Sequence, residues 1–244
     1  MTKHNTSFWI FLVAGVYASA TFSDDTAIST QITSGFFISQ GQSQTLGSPN
    51  STTYSIPLMI SSRSGRFQGA LITNYLQVNN DYPTVNLTNQ QQGMGDTILS
   101  VGYDLLEQPW ITLKLKHKFA TGDKNKGLST GKDDTALQLD WLNQFQPNTA
   151  GYATLGYKWV GQVNEYAMQN SGYATAGLLQ RLTPHNHLGV SLDYTQTSYT
   201  ELKDALGASL FLSHQLNTSM TLTSLSSYDS TSSSNFGLTI TKQF

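Results

Sequence analysis

Over most of the chain apolar and polar residues take turns at a period of two, the mark of strands wetted on one side only. In the segment 96–106, Leu99, Val101, Tyr103 and Leu105 alternate with Ser100, Gly102 and Asp104. The segment 110–119 sets Ile111, Leu113, Leu115 and Phe119 against Thr112, Lys114, Lys116 and Lys118. Leu137, Leu139, Trp141 and Phe145 stand likewise against Gln138 and Asp140, and Leu188, Val190, Leu192 and Tyr194 against His187, Gly189, Ser191 and Asp193. Read throughout, the pattern predicts strands at 27–39, 52–62, 67–78, 96–106, 110–119, 134–145, 150–159, 172–182, 187–197, 205–214, 219–227 and 235–244. No stretch shows sustained helical periodicity, and nothing marks a second domain.

The connections alternate in length. Gly65-Arg66, Gln108-Pro109, Pro147-Asn148, Pro184-His185 and Asn217-Thr218 lie in tight polar turns. Between them run longer links at 40–51, 79–95, 120–133, 160–171, 198–204 and 228–234. About twelve strands with short periplasmic turns and longer extracellular loops predict an all-β fold, an antiparallel up-and-down transmembrane β-barrel. The apolar faces then meet lipid and the polar faces a lumen. A soluble sandwich would turn the same apolar faces inward, an inversion that alternation alone does not reveal. Aromatic positions favour the barrel. Trp110, Trp141 and Phe145 fall near the short turns and Phe119, Tyr157, Trp159 and Tyr173 near the long loops, as two interfacial girdles.

Both chain ends suit export. Lys3 and His4 precede an apolar run from Phe8 to Val16 and the small-residue pattern Ala18-Ser19-Ala20, so residues 1–20 read as a signal peptide and 21–244 as the barrel. In the last strand Phe236, Leu238, Ile240 and Phe244 share a face, and the terminal Phe244 resembles the assembly signal of outer-membrane barrels. Lys242 occupies a position where such signals carry an apolar residue, and its stem can snorkel. The location expected is therefore the bacterial outer membrane. The partners are its lipid and lipopolysaccharide, the barrel-assembly machinery and a small-molecule solute, with the chain a monomer.

Charge and composition narrow the function. A net charge of −2 leaves no basic footprint for nucleic acid, and the absence of cysteine excludes disulfides and thiol chemistry. No serine, histidine and acid converge at one rim, so no enzyme is expected. His185 and His187 are too few ligands for a metal site, and no cofactor is expected. The most chemical-looking feature is Lys114, Lys116 and Lys118 on one face of one strand, with Lys158 extending the stripe. Inside a lumen these cations would select anions. Asp140, opposite Lys114, and Asp104, one strand away, would instead pair with lysines and hold the wall in register, leaving Lys116 and Lys118 unpaired. Asp193 also faces the lumen. Small inward residues such as Gly156, Gly189 and Gly207 either leave space there or relieve crowding. Twelve strands predict a narrow or partly blocked pore.

One region carries a family likeness. Gly95-Asp96-Thr97, the strand end Tyr103-Asp104-Leu105, Lys118-Phe119-Ala120-Thr121-Gly122-Asp123-Lys124, Gly127-Leu128-Ser129-Thr130-Gly131 and Asp133-Asp134 resemble the phenol meta-pathway outer-membrane transporter family. Ala120 stands where that family usually has proline and Ser129 where it has glycine. The resemblance implies an outer-membrane barrel for uptake of aromatic or other hydrophobic compounds, with Gly95, Asp96, Thr121, Gly122, Asp123, Gly131 and Asp134 as motif residues. The expected function is passive passage of small molecules. An anion-selective porin and a closed structural or adhesive barrel acting through its loops are the alternatives.

Overall fold

The structure, a computed structural model, describes residues 28–41, 50–82, 87–165 and 167–244. The signal-peptide reading of residues 1–20 lies outside them. Among the described residues thirteen strands form one antiparallel sheet: β1 (Ser29–Gly41), β2 (Asn50–Ser64), β3 (Phe67–Tyr82), β4 (Leu87–Met94), β5 (Thr97–Glu107), β6 (Trp110–Phe119), β7 (Asp134–Gln146), β8 (Thr149–Trp159), β9 (Ser171–Thr183), β10 (Asn186–Thr195), β11 (Ala205–Asn217), β12 (Met220–Asp229) and β13 (Ser234–Gln243). Consecutive strands pair around the circle, β1 joins β13, and β2 joins β3, so twelve of them close a barrel. Closure leaves this ring without a free edge, the condition for crossing hydrocarbon with strands.

β4 is the exception and was not expected, since 79–95 reads as a loop. β3 uses Phe67–Ile72 to pair with β5 and Tyr75–Tyr82 to pair with β4, so β4 extends the wall outward beyond the ring. Its sequence, Leu87-Thr88-Asn89-Gln90-Gln91-Gln92-Gly93-Met94, is mostly exposed on both faces. A strand wet on both sides needs no alternation, so it left no periodic signal. The changeover falls at Asn74, whose carbonyl accepts from the Gly95 amide at 2.8 Å. A Cβ on Gly95 would collide with the Asn74 side chain, which explains a glycine at that corner.

Two-residue turns join β2 to β3, β5 to β6, β7 to β8, β9 to β10 and β11 to β12, all at one end of the barrel. The longer connections sit at the other. The alternating apolar residues point outward: Leu99, Val101, Leu113, Leu115, Leu137, Leu139 and Val190 are exposed, and Leu155 and Leu192 reach 65%. The polar partners are buried inside. Asp104, Thr112, Gln138, Asp140, Thr154 and Ser213 are nearly inaccessible. This is the inverse of a soluble protein and identifies lipid as the solvent of the outer face.

The girdles are present with two exceptions. At the long-loop end Phe119, Tyr157 and Trp159 are exposed, the last two in edge-to-face contact at 5.2 Å. At the short-turn end Trp141 meets Phe145 at 6.0 Å and Phe67 meets Tyr103 at 5.0 Å. Trp110 instead shares the parity of Thr112 and lies beneath the Arg63 guanidinium, and Tyr173 is buried with its hydroxyl donating to Gln138 at 2.8 Å. Neither belongs to a girdle; each was misassigned because position along a strand does not reveal its face. β13 ends as read: Phe236, Leu238, Ile240 and Phe244 are exposed, and Lys242 holds its ammonium 5.0 Å from the Phe244 ring.

Candidate functional site

The inward lysines do not project into open water. Lys114 pairs with Asp140 at 2.8 Å, although the register sets Lys114 opposite Gln138 and Asp140 opposite Thr112, so the ion pair is diagonal. Asp140 also accepts from Thr154 at 2.6 Å and from the Gln138 amide at 2.7 Å. Lys116 donates to Gln138 Oε1 at 2.6 Å, the same oxygen that takes the Tyr173 hydroxyl. Asp104 is engaged elsewhere, with Arg63, with Gln68 at 3.0 Å and with Thr112 at 2.6 Å. Lys158 on β8 shares the inward parity and stands in register with Ala136 and Ser171. Asp193 lies on β10, taking hydroxyl donors from Thr175 at 2.9 Å and Ser209 at 2.5 Å.

Lys118 was expected to be unpaired, and it is not. Its ammonium meets Asp134 at 2.9 Å and Asp96 at 3.2 Å, and it donates to Thr130 at 3.3 Å. Sequence reasoning missed these partners because Asp96 lies just before β5, across a strand pair, and Asp134 follows a long loop. Two of the motif residues, Asp96 and Asp134, touch this lysine, and the others hold the loop beside it. Asp96 accepts from the Gly122 amide at 3.0 Å, and Thr121 donates to the Gly95 carbonyl at 3.3 Å. Asp123 caps its own turn by accepting from the Asn125 amide at 2.9 Å, and Gly131 takes a left-handed φ of 70°. Asp134 accepts from the Gly161 amide at 2.9 Å. Loop 120–133 is thereby tied down at the β4–β5 corner. A second tie, Lys124 to Glu165 at 2.9 Å, links it to the following loop, and the hydrogen bond from Lys124 holds the Glu165 carboxyl below the usual glutamate range.

Below this charged layer the lumen carries an apolar one that the sequence reading did not identify. Phe37, Tyr152, Phe211 and Leu225 form one buried cluster, with Leu142 and Leu179 packed against it. Each ring faces a glycine in register on the next strand: Phe37 opposite Gly237, Tyr152 opposite Gly177, and Phe211 opposite Gly189. Tyr173 likewise lies over Gly156. A Cβ at any of these glycines would run into the ring. Gly156 and Gly189 therefore do not leave space in the lumen; their missing side chains are filled by rings. The usable signal was an aromatic at inward parity opposite a glycine, which strand-by-strand reading does not compare.

No protein-family model and no curated protein matches the sequence. Solved structures do. An outer-membrane channel from Pseudomonas putida F1 superposes with a TM-score of 0.74 at 12% identity, covering 93% of this chain and 98% of that one. The KdgM porin, solved in complex with disordered oligogalacturonate, gives 0.61 at 11% identity over 88% of this chain and 99% of the porin. The monoaromatic hydrocarbon channel CymD gives 0.51 at 7% identity over 91% and 89%. The chain has the fold of outer-membrane channels. One of these proteins is solved with oligogalacturonate and another is a monoaromatic hydrocarbon channel, so the shared barrel does not by itself select a solute.

Proposed function

We propose that the chain is a monomeric channel of the bacterial outer membrane that lets small molecules pass passively, with aromatic or other hydrophobic compounds as the preferred class. The observation that carries this reading is the closed barrel with an outward apolar band and a polar lumen wall. The channel and porin neighbours support it, and the likeness to CymD, a monoaromatic hydrocarbon channel, favours apolar solutes. Kinship with the phenol meta-pathway family belongs to the same reading, supported by the convergence of Asp96, Gly122 and Asp134 near Lys118. On this account residues 1–20 are removed on export, Phe244 engages the assembly machinery, and the outer rim borders lipopolysaccharide. The chain is not an enzyme. The anion-selective alternative loses its motive where Lys114 and Lys118 are neutralised by carboxylates.

Liposome swelling tests the reading. Proteoliposomes are compared with protein-free liposomes in nicotinamide, nicotinate and arabinose, the first two sharing one ring with and without a carboxylate. Swelling above the protein-free rate is expected for at least nicotinamide. A rate equal to that of protein-free liposomes for all three solutes contradicts a channel.

A further inference from the structure

A side chain lining a water-filled pore keeps one flank wet, yet Phe37, Tyr152, Phe211 and Leu225 are only 2–8% exposed. They come from β1, β8, β11 and β12, and Leu142 and Leu179 add β7 and β9, so half of the ring's strands contribute to one apolar layer. Tyr152 and Phe211 stand on strands three apart and still bring their ring centroids to 6.4 Å. They can do so because the two strands between them present Gly177 and Gly189, and a side chain at either would push the rings aside. The Tyr152 hydroxyl turns to the wall, where it donates to the Val190 carbonyl at 3.4 Å.

Resting on the channel reading, we propose that this cluster is the solute filter: it passes small uncharged molecules that present an apolar face and bars hydrated ions. An ion at this level must give up water where no polar group replaces it, which is how apolar constrictions close to ions. A neutral ring loses little, because it exchanges contacts with water for contacts with Phe37, Phe211 and Leu225. The charged layer above does not set this preference, since carboxylates hold Lys114 and Lys118 and Gln138 holds Lys116.

The full chain in planar bilayers and proteoliposomes tests the filter. Wild type is expected to pass nicotinamide ahead of nicotinate and arabinose, with potassium chloride conductance near the bare-membrane level. Phe211→Ser, and separately Leu225→Thr as the milder change, are expected to raise conductance by roughly tenfold or more, the change that about 1.36 kcal/mol off a barrier makes. Both should also erase the preference for the ring. Heat-modifiable gel mobility identifies which variants fold, and either one suffices. If wild type passes all three solutes alike and conducts ions freely, the filter is overturned while the channel stands. Folded variants with unchanged conductance also overturn it. Passage of no solute removes the channel and the filter together.

Discussion

Leu115→Arg is expected to destabilise the barrel by roughly 2–4 kcal/mol, the cost of a cation on the lipid face near the bilayer midplane. Leu115 is about half exposed, lies midway along β6, and is paired with Val101 and Leu137, both outward and apolar. The guanidinium has no carboxylate there, and snorkelling from mid-strand is long. Lys116, the next residue, has a hydrogen-bond partner at the same depth, because it points inward to Gln138. Equilibrium urea unfolding in lipid vesicles reads the difference. A change within about 0.5 kcal/mol, ordinary for a solvated surface position, contradicts a lipid-facing Leu115.

The second large effect lies on the other face. Asp140→Ala removes the carboxylate that meets Lys114 and accepts from Thr154 and Gln138, leaving a buried ammonium uncompensated. Removing one partner of a buried pair costs about 3–5 kcal/mol. The exposed pair Arg66–Glu107, at 3.2 Å, is the contrast: Glu107→Gln is expected to cost about 0–1 kcal/mol. Unfolding of both variants in the same vesicles separates an occluded lumen from a wet one. A loss under about 1 kcal/mol for Asp140→Ala means that water reaches Lys114 and repays the missing carboxylate.

What could be read from sequence follows from how each feature is encoded. Eleven of the strand pairs of the ring are hairpins or near neighbours, and each wall strand alternates because one side is lipid; Leu113 and Lys114 reveal their faces without a partner. β4 escaped because nothing around it is apolar enough to impose a period. The lumen's contacts escaped for a different reason. Lys118 finds Asp96 and Asp134 through pairing across β5, β6 and β7, and Phe211 finds Gly189 through the β10–β11 register. Such partners depend on stagger between strands, and a shift of two residues preserves every face while changing every neighbour. Tyr173 shows the same limit, since its place near a loop end suggested a girdle while its parity sent it to Gln138.

Lipid, and not a protein interior, covers the apolar face. The chain has no cysteine, so each substituted cysteine carries a unique spin label. Labels placed singly from 111 to 116 along β6, with the protein in lipid vesicles, are measured for access to oxygen dissolved in the bilayer and to a water-soluble nickel chelate. Oxygen access is expected to peak at 111, 113 and 115 and to fall at 112, 114 and 116. Uniform access along the strand, or nickel access at 113 and 115, contradicts the barrel in its membrane.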